Sequence, residues 1–204
     1  FGWFGFNGGS ALTVGALAST AVINTQIAAS AAAITWILTE KIRDGKATTL
    51  GIASGAVAGM VAITPACGFV NPFGALIIGL LAGATSAWAV SMKYKLGYDD
   101  SLDVVGVHGV SGFLGMLAIG FLGTVTANAS GSNGFFAGGG FTLLSKQFIA
   151  SITCGVFAFV VTFLIAKLIE SSFGFRARAE EESNGLDQTY HAETAYDFSS
   201  ISIR

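Results

Sequence analysis

The feature that most constrains this chain is a series of long apolar segments with few or no charges. Residues 17–39 form one such segment and contain no charged side chain. A helix of about 20 apolar residues crosses the hydrocarbon core of a bilayer. Comparable segments follow at residues 47–66, 73–93, 102–124 and 143–169. We therefore predict an all-α integral membrane protein, a helical bundle of about five full transmembrane helices plus a partial first helix at residues 1–12.

The composition supports a membrane protein and excludes several other classes. Only 11% of the residues are charged, against about 25% in a typical soluble domain. The net charge of -2 provides no basic surface for nucleic acid. Cys67 and Cys154 lie in or beside apolar segments and form neither a disulfide framework nor a metal-binding spacing. We expect no metal, no cofactor and no nucleic-acid partner.

The basic residues predict how the chain is oriented. The spans place residues 40–46, residues 93–101 and the polar C-terminal region on one side of the membrane. That side carries every Lys and Arg except Lys146. Lys and Arg accumulate on the cytoplasmic side of membrane proteins. We therefore predict a transmembrane region at 1–171 and a cytoplasmic tail at 172–204.

One ionisable side chain, His108, lies deep within the segment 102–124. Glycines follow each other at intervals of three around it, from Gly106 to Gly115, and we expect them to let a neighbouring backbone approach the face that carries the histidine. An ionisable residue is costly in hydrocarbon and marks a candidate functional site. The alternative is a structural histidine that is hydrogen-bonded between helices.

The other polar residues and the aromatic residues of the spans each have two interpretations. Asn24, Thr25 and Gln26 either hydrogen-bond across helices or line a wet cavity. The aromatic cluster of residues 1–6 either attracts cations or forms an interfacial belt. Glycines at intervals of four predict close helix packing in two further spans; they are Gly51, Gly55, Gly59, Gly79 and Gly83.

Four segments, in this order, resemble the ammonium transporter (Amt/Rh/methylammonium permease) family. They are residues 1–10 (FGWFGFNGGS), 54–68 (SGAVAGMVAITPACG), 103–112 (DVVGVHGVSG) and 185–196 (GLDQTYHAETAY). The last segment is similar to the Amt branch. The resemblance implies an eleven-helix protomer in a homotrimer, built from two inverted repeats. This chain resembles the C-terminal half only, from the end of the sixth helix through the second repeat and the last helix to the tail.

The resemblance also implies roles for individual residues of the transmembrane region. His108 resembles one of two histidines at the middle of the pore, and Phe6 one of two phenylalanines that gate the outer mouth. Trp3 is a pore-wall candidate, and Ser10 resembles the hydroxyl that helps to hold ammonium outside. Asp103 and Asn7 resemble structural or supporting positions.

In the tail, the resemblance implies contacts with neighbouring protomers that couple the pores, and a P-II type regulatory protein as a partner. The residues concerned are Gly185, Asp187, His191, Glu193 and Tyr196.

The resemblance implies transport of ammonium, ammonia and methylammonium across the plasma membrane through a narrow apolar pore lined by histidine. The cation is recruited and deprotonated at the aromatic gate. The alternative is a truncated non-transporting subunit, or an ammonium sensor, that assembles with intact protomers. We do not expect an enzyme, because no second polar catalytic group accompanies His108. A different secondary transporter would usually show carboxylates for ion coupling at mid-membrane.

Overall fold

The structure is a computed structural model that describes residues 1–194, and all regular secondary structure among these residues is helical. The chain divides into two compact units, Phe1–Thr153 and Cys154–Arg204, which are described separately. The helices are α1 Gly2–Gly9, α2 Ala16–Asp44, α3 Thr49–Ile63, α4 Pro72–Ala89, α5 Met92–Leu96, α6 Ser111–Leu122, α7 Thr142–Ser172, α8 Ala179–Asn184 and α9 Leu186–His191. A π-helix at Val105–Val110 precedes α6, and a 3-10 turn occupies Phe135–Ala137.

Four helical segments of the described residues are long and apolar enough to cross a membrane. They are Ala16–Asp44, Pro72–Leu96, Val105–Leu122 and Thr142–Ser172. The helix Thr49–Ile63 is also apolar but shorter. These segments confirm the predicted class, an all-α protein with several transmembrane helices.

The first unit is assembled around close contacts between α2, α3 and α4. A Cβ added at Gly59 or at Gly79 would overlap the carbonyl oxygen of Ala28 on α2. A Cβ at Gly83 would overlap the carbonyl oxygen of Ala32, one turn further along α2. Because Ala28 and Ala32 are themselves fully buried, the three backbones pack without intervening large side chains. The close packing predicted from glycines at intervals of four is confirmed.

The helix α2 extends beyond the predicted end of its span at residue 39 and includes part of the charged link. Glu40 stabilises this extension, because its carboxylate accepts hydrogen bonds from Trp36 Nε1 at 3.0 Å and from the Thr48 backbone N–H at 2.9 Å. The helix ends where Gly45 adopts a φ of 79°. The charges are therefore part of the last helical turns rather than of a loop.

Two sets of contacts define the opposite ends of the first unit. At one end, the Arg43 guanidinium donates to the Ala87 carbonyl at 2.6 Å, which joins the ends of α2 and α4. At the other, the Thr124 N–H donates to the Phe69 carbonyl at 2.9 Å and joins two loops. The charged links that the sequence assigned to one membrane side thus lie at the ends of neighbouring helices.

The histidine-bearing helix differs from the prediction in two respects. It begins with a π-helical segment instead of a continuous α-helix over 102–124. Its glycines do not share one face: Gly106 lies against Val90, Gly115 lies against Ala62, and a Cβ at Gly109 would meet open space. An interval of three residues falls about 60° short of a full α-helical turn, so a row of such glycines winds around the helix.

In the second unit, the short helices α8 and α9 are joined through one carboxylate. Glu181 accepts hydrogen bonds from the Arg178 guanidinium at 2.7 Å and from the Tyr190 hydroxyl at 2.8 Å. The pKa of Glu181 is lowered to about 2, chiefly by the Arg178 side chain, then by the Arg178 backbone N–H and the Tyr190 hydroxyl. The ionised carboxylate therefore connects the start of α8 with α9.

Candidate functional site

Two residues that the sequence singled out separately, Trp3 and His108, lie together in the structure. Their rings stack at 21°, with centroids 6.4 Å apart. The Trp3 ring is also held at its Nε1, which donates to Thr64 Oγ1 at 2.7 Å. The Thr64 hydroxyl in turn donates to the Met60 carbonyl at 2.6 Å. A short chain of hydrogen bonds from α3 thus holds the aromatic face against the imidazole.

His108 lies on the π-helical turn, and its side chain is exposed. The next residue, Gly109, has no neighbouring atom within 4 Å of an added Cβ. Within residues 1–194, the imidazole contacts the Trp3 ring and makes no hydrogen bond between helices. This arrangement leaves the imidazole nitrogens available to a solute, since a neutral imidazole both donates and accepts hydrogen bonds. π-Helical turns are often found at functional sites.

The helix α1 presents its candidate residues in different directions. Asn7 is buried, and its Nδ2 donates to Thr25 Oγ1 on α2 at 2.9 Å. Phe6 is 65% exposed, and the exposed Ser10 hydroxyl donates to the Phe6 carbonyl at 2.8 Å. The structure therefore brings Trp3 to the histidine, whereas Phe6 and Ser10 are left on the exposed surface of the same helix.

Two of the three polar residues of α2 hydrogen-bond to other parts of the bundle, which is one of the two readings that the sequence left open, and the third does not. Asn24 is fully buried and donates to the carbonyls of Cys67 and Val70 at 2.8 and 2.9 Å. Thr25 is also buried and accepts from α1, as described above. Gln26 is exposed and donates to Ser30 on its own helix. Two of the three side chains therefore connect elements of the bundle.

Asp103 lies at the start of the histidine-bearing helix, with a φ of 58°. Its carboxylate accepts a 2.6 Å hydrogen bond from Lys93 Nζ, and the lysine also reaches the Asp100 carbonyl at 2.9 Å. The Asp100 carboxylate accepts from the N–H groups of Val104 and Val105 at 2.8 and 2.9 Å. Asp100 therefore caps two N–H groups that would lack a partner at the start of this helix, a contact that the sequence analysis missed.

The tail candidates lie around the junction of α8 and α9. Gly185 separates the two helices with a φ of 94°, a conformation that favours glycine. The Asp187 carbonyl accepts from the Glu193 N–H at 3.2 Å, just beyond His191, the last residue of α9. Tyr196 lies outside the described residues.

The fold and the site define a class of protein: a multi-pass, α-helical membrane protein with an exposed imidazole stacked on a half-buried indole. Comparison with known proteins identifies the family. A model of the Ammonium Transporter Family matches residues 1–196. The chain belongs to the ammonium transporter family, which confirms the resemblance inferred from its sequence.

Individual relatives give the extent of the similarity. An ammonium transporter of Bacillus subtilis is 51% identical over 197 residues, which are 96% of this chain and 48% of the relative. A crystal structure of Candida albicans Mep2 superposes with a TM-score of 0.82 at 31% identity, over 88% of this chain and 41% of that one. A solved structure described as a sensor Amt protein gives a TM-score of 0.83 at 27% identity, over 93% and 46% of the two chains.

The chain therefore spans about half the length of the curated relatives that it matches. These relatives are named as transporters and not as enzymes, in agreement with the expectation from the sequence.

Proposed function

We propose that this chain forms one wall of a pore that transports ammonium and methylammonium, with the opposite wall supplied by the other half of a full-length protomer. The observation that carries the proposal is the Trp3–His108 stack, in which the imidazole is exposed. An imidazole among apolar residues would be costly in a membrane unless it faced a partner or a solute. The family of the chain and the names of its relatives supply the identity of the solute.

In this proposal, Phe6 and Ser10 act at the outer mouth. An aromatic face attracts a cation by about 0.5–2 kcal/mol, and a hydroxyl oxygen accepts a hydrogen bond from it. Ammonium releases one proton to the water outside the mouth, and neutral ammonia enters the apolar pore, since a neutral solute avoids most of the cost of burying a charge. His108 then exchanges hydrogen bonds with ammonia, while Trp3 holds the imidazole and excludes bulk water.

The supporting residues keep this wall in place. Asn7 joins α1 to α2 through Thr25 and so fixes the helix that carries Trp3. Asp103 and Lys93 form an ion pair where the histidine-bearing helix begins. In this proposal neither pair acts on ammonium directly. Each pair holds one of the two helices that supply the stacked rings.

We further propose that the protein lies in the plasma membrane with its tail in the cytoplasm, because the basic residues accumulate on the side of the tail. We propose a homotrimer in which the tail contacts neighbouring protomers and a P-II type protein is a regulatory partner. The folded junction around Gly185 and Asp187 supports a tail with a defined shape, which a docking role requires.

The test is uptake of radiolabelled methylammonium by cells without their own ammonium transporters. The cells express residues 1–204 alone, or residues 1–204 fused behind the first repeat of a relative. We expect uptake by the fusion, competed by ammonium, and none by residues 1–204 alone. Uptake by the short chain would overturn the half-pore proposal. An inserted, trimeric fusion without uptake would favour the non-transporting subunit or the sensor.

A further inference from the structure

Two buried serines connect α4 with the turn that carries His108. Ser86 and Ser111 are both 0% exposed, and their Oγ atoms lie 2.6 Å apart. Ser111 is the first residue of α6, and its backbone N–H donates to the His108 carbonyl. The hydroxyl pair therefore attaches α4 to the residue that directly follows the π-helix.

A second contact joins the same two helices on the other side of that turn. A Cβ at Gly106 would lie 2.7 Å from Val90 Cγ1 and 2.9 Å from the Val90 backbone nitrogen. The Val90 N–H donates to the Ser86 carbonyl at 3.0 Å, so the two contact residues are one α-helical turn apart. The glycine permits a backbone approach that any side chain would block.

The two contacts have different spacings on the two helices, and only one winding satisfies both. The contact residues are 86, on α4, and 90, directly after its last residue, whereas on the histidine-bearing helix they are 106 and 111. In an α-helix, residues five apart point roughly 140° away from each other. In a π-helix the hydrogen bonds join residues i and i+5, so residues five apart lie close to the same face of the helix. The observed π-helix over Val105–Val110 meets this requirement.

We propose that Ser86 and Ser111 are positioning residues that hold the π winding and thereby turn His108 toward Trp3. Rewinding this segment as an α-helix would turn the 106 and 111 positions to roughly 140° apart and would change the orientation of His108, which lies between them, relative to the indole. The positioning of His108 is independent of the function proposed above. Its importance for transport rests on that function.

Single and double alanine variants separate positioning from a general folding defect. Ser111→Ala alone leaves the Ser86 hydroxyl buried without its partner, which lowers stability. The double variant Ser86→Ala/Ser111→Ala removes both hydroxyls and recovers much of that stability, yet it still lacks the contact. Thr85→Ala is a matched control, because the Thr85 hydroxyl donates to the Leu81 carbonyl within α4 at 2.7 Å.

The experiment is ¹⁹F NMR of the 204-residue chain labelled with 5-fluorotryptophan in lipid nanodiscs. The Trp3 resonance is assigned with Trp3→Phe, and His108→Ala defines the shift that follows loss of the imidazole from the indole face. We expect the folded double variant to move the Trp3 resonance toward the His108→Ala position, and Thr85→Ala to leave it in place. An unchanged Trp3 resonance in the double variant, or an equal shift in Thr85→Ala, would overturn the proposal.

Uptake by the fusion distinguishes failure of this proposal from failure of the proposed function. We expect the double variant to lose maximal methylammonium uptake at normal membrane abundance. If the resonance shifts but His108→Ala transports normally, the positioning role stands and the proposed function fails. If the resonance does not shift, the positioning role fails whatever the uptake.

Discussion

Replacing Asn24 by alanine should destabilise the first unit, and the structure allows the size of the effect to be worked out. Asn24 Nδ2 donates to two carbonyls, those of Cys67 and Val70, in a fully buried setting. Each buried acceptor that loses its partner costs about 1–3 kcal/mol. The Asn24 Oδ1 atom is itself buried without a hydrogen-bond partner among the described residues, and its removal offsets about one such cost. We therefore expect a net loss of about 1–3 kcal/mol.

The assay is equilibrium unfolding of the chain in mixed micelles with an increasing fraction of a denaturing detergent. Gln26→Ala is the matched control, because Gln26 lies on the same helix, is exposed and donates only to Ser30 on that helix. The control should change the free energy of unfolding by less than about 0.5 kcal/mol. Equal midpoints for Asn24→Ala and Gln26→Ala would refute the reasoning that the buried amide joins α2 to the segment after α3.

Three further predictions concern packing, capping and pH. Gly79→Val should lower the yield of folded protein, because the new side chain overlaps the Ala28 carbonyl. Asp100→Ala should cost about 0.5–2 kcal/mol as a lost cap and speed amide exchange at the start of the histidine-bearing helix. The pKa of Glu181 is lowered from 4.5 to about 2, so its contribution to the α8–α9 junction is complete above about pH 4.5 and is lost as the pH falls through about 2. The Tyr190 ring resonance should shift in that range.

Each of these predictions has a control in the same chain. Gly5→Ala should leave the yield unchanged, since an added Cβ meets no atom within 4 Å. Ser101→Ala should leave amide exchange unchanged, because the Ser101 hydroxyl reaches only the Asp99 carboxylate, at 3.5 Å. Glu181→Gln should abolish the acid shift of Tyr190. Normal yield for Gly79→Val, normal exchange for Asp100→Ala, or an acid shift that persists in Glu181→Gln would contradict the respective argument.

The sequence predicted the features that depend on local composition. Apolar length identified the spans, and glycines at intervals of four identified the close approach of Gly79 to α2. Both signals work because a bilayer admits few alternatives to a helix and because a missing side chain directly permits backbone contact. The cost of an ionisable side chain in hydrocarbon marked His108 as a candidate site, and the family resemblance added its place in the pore and the candidate roles of Phe6 and Ser10.

The features that the sequence did not predict depend on contacts between distant residues. The π turn at His108 could be predicted only by knowing which residues of α4 contact it. Neither Ser86 nor Ser111 carries a local sequence signal for that contact. The contact between Trp3 and the imidazole likewise joins residues that are far apart in the chain. The glycines around His108 were misassigned to one face because an interval of three does not match the helical period.

The most direct test of the account is methylammonium uptake by the fusion with His108→Ala, compared with Gln26→Ala at equal membrane abundance. We predict that uptake is lost on removal of the imidazole and retained in the control, because the proposed function makes the exposed ring of His108 the group that meets the solute. Normal, ammonium-sensitive uptake by His108→Ala would contradict the placement of the pore along the Trp3–His108 wall.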